Sequence, residues 1–343
     1  MIIDSYMENG FYTADSVIEE LADITPVDYS SCATIDEACM TAYLETVSEY
    51  NIFENALRDA EISYVQENGT TPIYEAVNIK ELAGQAIGHV KAWVAKMMGI
   101  LDRFMKEVAA KIATARTKIF KGNQEKFDKG SWTSDMEYDD YDYVEAVTGS
   151  GNIIDAPLID ATQIFEDAAD YKNTGKVGAH VISLLHRDYN LSTDGGINVT
   201  DIRDSNLKKV TINAAYVSKM APIQVINGGF KNGLATVKKE KQKINKSASN
   251  TIKAIKRAAS GKEKDEKKVY NQTVKAVGFV NSTNNILISA KLSLLTGYLN
   301  QAYKIAGMMY RSGRKIEKEA KKNKSNAQKK DEAVNAAARI VGF

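Results

Sequence analysis

Residues 276–316 read AVGFVNSTNNILISAKLSLLTGYLNQAYKIAGMMYRSGRKI and lie inside the longest unbroken helical pattern of the chain, Lys267 to Lys322. Ile288, Leu292, Leu295, Leu299, Ala302, Ala306 and Met309 follow one another at alternating steps of 4 and 3, and Ile316 continues the register one heptad later. A 3.5-residue repeat of apolar side chains is a seam for another helix. No proline interrupts it, and about 55 residues at roughly 1.5 Å each would span on the order of 80 Å, far beyond an ordinary globular helix. Such a rod has to lie against something. Immediately before it, Leu234 to Ala259 is basic and carries Leu234, Val237, Ile244, Ala248, Ile252 and Ile255 on one side. Ser260-Gly261-Lys262 supplies the turn, so the sequence predicts a C-terminal helical hairpin.

The same period recurs in the N-terminal half. Thr34-Ile35-Asp36-Glu37 fits a capping box, in which the Thr hydroxyl and Glu carboxylate satisfy free amides at a helix start. Behind it Cys39, Tyr43, Thr46, Tyr50, Phe53, Leu57, Ala60 and Tyr64 form a stripe that ends near Asn68-Gly69. After Pro72 comes a second stripe: Ile87, Val90, Val94, Met97, Leu101, Phe104, Val108, Ile112, Ala115 and Ile119. Trp93, Met98, Ile100 and Met105 widen its apolar face, as expected of a helix buried against two neighbours. The short connection favours an antiparallel pair. Upstream, the first 30 residues are acidic, broken by Pro26, and offer one short helical candidate from Ala14 to Ile24.

Between the two helical halves the pattern changes. Ser131 to Asp170 holds 11 acidic residues and no basic one, and its centre, Asp135 to Tyr143, reads as an exposed loop or partner-binding strip. Val181–Leu185, Ile197–Thr200 and Val210–Ile212 are short β-prone runs separated by turn signals, which predicts a small α+β insert. Gly228, Gly229 and Gly233 close it.

Composition adds a charge asymmetry. The formal net charge of the 343 residues is +1, yet residues 1–75 hold 16 acidic and one basic residue, and residues 231–330 hold 25 basic and 6 acidic. Oppositely charged ends suit head-to-tail contact between subunits, or a basic segment facing nucleic acid. The N-terminus lacks the basic start and apolar run of a secretory signal. The most apolar window, Ala276 to Leu299, contains Asn281, Asn284, Asn285 and Lys291, too polar to span a bilayer unaided. Cys32 and Cys39 read as buried small hydrophobes with no mutual disulfide.

No chemistry-bearing motif emerges. Gly175-Lys176-Val177 and Gly261-Lys262-Glu263 lack the upstream glycine and the Ser/Thr of a phosphate-cradling loop, and neither GxGxxG after a strand nor GxSxG occurs. His89, His180 and His186 form no zinc spacing, and the acidic strip lacks the EF-hand pattern. No catalytic, cofactor-binding or metal-ligating residue is assigned, and the expectation is a protein that is not an enzyme and takes no cofactor.

The acidic helix containing Ala38-Cys39-Met40-Thr41-Ala42-Tyr43-Leu44, the basic amphipathic helix containing Val90-Lys91-Ala92-Trp93-Val94-Ala95-Lys96-Met97-Met98 and the late hairpin ending in Leu299-Asn300-Gln301-Ala302-Tyr303-Lys304-Ile305-Ala306 occur in an order that resembles virion structural proteins of large tailed bacteriophages. The strip Asp135 to Tyr143 is not part of that resemblance. It implies a multicopy, non-enzymatic particle component, made in the host bacterial cytoplasm and found in the virion, with copies of itself and other virion structural proteins as partners.

The resulting expectation is a mainly α chain of long amphipathic helices and a C-terminal helical hairpin, with a small α+β insert. Its segments are an acidic N-terminal arm (1–33), a long-helix pair (34–130), an acidic loop and the insert (131–230), the basic long hairpin (231–325) and a C-terminal tail (326–343). A helical membrane-active protein of the hairpin pore-forming type is one alternative. Contact with nucleic acid through the basic segment 231–330 is another.

Overall fold

The computed structural model describes residues 21, 23–69, 78–128, 136–149, 152–162, 203–204, 206–262, 270, 273–274 and 276–341. It is mainly α, with long helices and one small two-stranded sheet. The helices are α1 (Ile35–Asn68), α2 (Ile79–Ala115), α3 (Gln124–Asp128), α4 (Tyr143–Thr148), α5 (Ala214–Met220), α6 (Pro222–Arg257) and α7 (Asn281–Val341); the strands are β1 (Tyr138–Tyr141) and β2 (Lys209–Ile212). The β-prone runs at 181–185 and 197–200, His180, His186 and most of the helix expected at 14–24 lie outside the described residues.

The chain forms two compact units, the first from residues 1–108, 145–208 and 231–296, the second from 109–144, 209–230 and 297–343. In the first unit α1 starts at the expected cap. Thr34 is extended, its hydroxyl accepts from the Glu37 amide, and the Glu37 carboxylate accepts from the Ala33 amide at 2.6 Å. The helix stops at Gly69, whose φ of 83° puts it in the region that glycine enters without a steric penalty. Helices α1 and α2 run antiparallel, because Ile35 meets Glu107, Glu49 meets Lys96 and Phe53 meets His89. The stripe of α2 packs as its spacing requires: Val90, Val94, Met97 and Leu101 are fully buried, and Trp93 and Phe104 are each 1% exposed. Residues 26–30 cross α2 at Gly99, where any Cβ would strike the Val27 backbone, and the Val27 amide donates to the Ala95 carbonyl at 3.0 Å.

In the second unit β1 and β2 pair antiparallel, Tyr138 with Ile212 and Tyr141 with Lys209. The strip expected as a loop is therefore partly a strand. Tyr138 packs against a core that includes Phe120, Phe127, Ile212, Met220, Ala302 and Ile305, and Asp139 and Asp140 are taken up by Thr211 (3.0 Å) and Lys304 (3.4 Å). The Lys304 ammonium also sits 4.2 Å above the Tyr138 ring, so a cation from α7 offsets the carboxylates. Tyr216 donates to Gln301 Oε1, and Gln301 Nε2 donates to the Tyr141 carbonyl, both at 2.9 Å.

Three boundaries differ from the sequence reading. Helix α6 begins at Pro222 and runs through Gly228, Gly229 and Gly233, since proline is well placed at a first helical position and each interior glycine costs only about 1 kcal/mol. Helix α7 begins at Asn281 rather than near Lys267, after a π-helical turn at Ala276–Val280, and it continues through the expected tail to Val341. Its seam also shifts. Ile288, Leu292 and Leu294 are buried, whereas Leu295 and Leu299 are half-buried and Ile316 is 53% exposed.

Candidate functional site

The most distinctive chemistry of the first unit lies between α6 and α7. On α6, Glu240, Lys243, Ser247, Asn250 and Thr251 recur at helical steps, a polar stripe beside the apolar one of Val237, Ile244, Ala248, Ile252 and Ile255. Asn284 and Lys291, two turns apart on α7, face it. Both stripes hold a strap, residues 152–162, that begins with a 3-10 turn at Ile153–Asp155 and continues without regular structure over 156–160. Lys243 Nζ donates to the Ile154 carbonyl (2.8 Å) and Lys291 Nζ to the Ala156 carbonyl (2.6 Å). Asn284 takes both backbone groups of Ile159, accepting from its amide at 2.8 Å and donating to its carbonyl at 2.7 Å. Ser247 donates to the same carbonyl, Thr251 accepts from the Ala161 amide and Asn250 donates to Asp160. The side-chain amide of Asn284 thus does for Ile159 what a neighbouring strand would do.

Glu240 is the anion of this seam. It is 2% exposed and lies 2.6 Å from Lys243 and 3.3 Å from Lys291, itself 1% exposed. Burial pulls the Lys291 ammonium down from 10.5 to about 8, against the raising effect of Glu240. A lowered lysine in a cluster can signal an active site. Here Glu240 and Lys291 are shielded from solvent, Glu240 accepts from the two lysines and the lysines donate on to the strap's carbonyls, so the arrangement fixes a segment.

Other groups with latent chemistry are similarly committed. Burial pushes the Cys39 thiol up to about 12, which removes the thiolate a nucleophile needs, and Cys32 is buried and unbridged. His89 is pushed down by burial and stacks 4.8 Å from Phe53. A cleft of about 240 Å³ lies over residues 26–30; of the two cations that line it, Arg103 and Lys106, Arg103 already donates to the Cys32 and Ala33 carbonyls. Among the described residues no three His, Cys, Asp or Glu side chains are grouped to hold a metal ion. No described helix is long and apolar enough to cross a membrane.

Among the described residues, the end of α1 and the late turns of α7 stand exposed. From Arg58 onward every described side chain of α1 is exposed, and Met40, Leu44, Ile62 and Val65 present apolar groups at 43–58% exposure. On α7 all eighteen residues from Lys318 to Asn335 are exposed, and basic side chains dominate them. No protein family matches the sequence, and neither does any curated protein or solved structure.

Proposed function

We propose that this chain is a non-enzymatic structural component of a bacteriophage virion, made in the bacterial cytoplasm and assembled through helix contacts and complementary charge with copies of itself and other virion proteins. The order of acidic helix, basic amphipathic helix and late hairpin supports the virion assignment. The observation that carries the assembly reading is the exposed stretch from Lys318 to Asn335. A helical stretch exposed on every face gains no packing energy from its own chain, and helical stability in proteins comes mostly from packing. Sedimentation velocity over a range of protein concentrations and two salt concentrations tests it. The expected result is an oligomer that loosens as salt rises, because exposed charges are screened over about 8 Å at physiological ionic strength. A monomer at every concentration would contradict it.

The second reading, contact with nucleic acid through the basic segment 231–330, draws on the same exposed lysines. No aromatic side chain is interleaved among the eighteen residues to stack on bases, which leaves charge as the only attraction. The membrane-active alternative draws less support. Trp93, Met97 and Phe104, the face that would enter lipid, are buried within the first unit.

A further inference from the structure

Within the assembly reading, on which this inference rests, we infer that the exposed end of α7 in one copy packs on the outer face of α1 in a second copy. Ile316, Ala320, Asn323, Ala327, Lys330 and Val334 follow at steps of 4, 3, 4, 3 and 4, a heptad spacing of exposed side chains that is apolar but for Asn323 and Lys330. Ile316 is 53% and Val334 65% exposed, which a solvated helix has no reason to present in register. On α1, Met40 and Leu44 lie one turn apart and Ile62 and Val65 continue their stripe near the far end. From Met40 to Val65 and from Ile316 to Val341 the two stretches have the same length, roughly 38 Å at 1.5 Å per residue.

Charge selects the occupant. Helix α1 carries eight carboxylates and one arginine, a net of −7, while residues 311–330 carry nine basic and two acidic residues, a net of +7. A nucleic acid would cover the basic helix and leave the apolar face of α1 in water. A second copy covers both. Because the two faces differ, each copy donates one face and accepts on the other, either reciprocally in a two-fold pair or onward into a ring or a filament.

Charge-swap variants of the full chain test this. Lys318→Glu/Lys322→Glu and Asp59→Lys/Glu67→Lys all change exposed side chains, and circular dichroism and thermal melts check that both variants keep the fold. Nuclease-treated wild type should associate in sedimentation velocity, each variant alone should associate about tenfold more weakly, and mixing the two should restore complexes containing both, as opposite charges across an interface set partner choice. If wild type associates and neither variant weakens it, these faces are not the interface, while self-assembly stands. A wild type that is monomeric throughout overturns both the inference and the assembly reading. Association that vanishes on nuclease treatment also overturns the inference, in favour of nucleic acid as the occupant.

Discussion

The early turns of α7, from Asn281 to Leu294, and its late turns, from Lys318 to Asn335, belong to one helix and solve opposite problems. In the early turns almost every side chain is buried, including Asn284, Asn285, Ser289 and Lys291. Each of these would cost several kcal/mol in an apolar site without partners; Asn284 and Lys291 meet that cost with the carbonyls and amides of the strap. In the late turns nothing is buried and charge stays in water. The difference teaches that heptad spacing alone is a poor guide to which part of this helix is packed. Specific polar partners mark the packed part, and the heptad spacing, interrupted by Asn323 and Lys330, continues where every side chain from Lys318 to Asn335 is exposed.

Mutations at the two ends should separate them, and the largest effect is expected at Glu240. Glu240→Leu leaves the Lys291 and Lys243 ammoniums without their carboxylate, and breaking a buried pair in this way costs about 3–5 kcal/mol. A urea titration should show a large fall in midpoint, whereas Lys318→Leu should move it by less than about 0.5 kcal/mol. Equal effects would mean that the seam is hydrated. Next comes the apolar register. Ile288→Ala should cost about 2–5 kcal/mol by opening a cavity, while Ile316→Ala should be close to silent in the stability of the dilute protein. A costly Ile316→Ala in a monomer would show that the late turns pack within their own chain.

A smaller effect is expected from pH. Lys291 titrates near 8 in the folded chain and near 10.5 when unfolded. Between those values the unfolded chain holds a proton that the folded site has released, so stability from this residue rises with pH, by up to about 1.4 kcal/mol per unit. Cys39 acts in the opposite sense above its ordinary value of 9, since its folded thiol keeps its proton. The measurement is therefore the difference between wild type and Lys291→Met from pH 7.5 to 10, in which only wild type should show the rising component. Parallel curves would mean that Lys291 is not held in a dry site.

Much of this arrangement was legible in the chain. The capping box at Thr34, the stripe of α2 from Val90 to Ile119, the strand at Val210–Ile212 and the apolar side of α6 all follow local rules of spacing and capping. The strap and its seam were not legible. Glu240, Lys243, Ser247 and Thr251 have the composition of a solvated helix face, and only the arrival of residues 152–162, some 90 positions earlier, makes them interior. The available signal was the reverse pattern on α7: Asn284 and Lys291 sit in its most apolar window, where a polar residue needs a reason. Strand β1 was hidden for a related cause, because its aspartates look too charged to pair until Thr211 and Lys304 are placed beside them.

Hydrogen exchange at two protein concentrations tests the central contrast within a single helix most directly. Amides of residues 284–294 should exchange slowly and equally at both concentrations, since their protection comes from the chain's own packing. Amides of residues 318–335 should exchange rapidly in dilute protein and become protected as concentration rises, the outcome expected of the proposed contact with another copy. Protection of residues 318–335 that is independent of concentration, or its absence even in concentrated protein, would contradict the account.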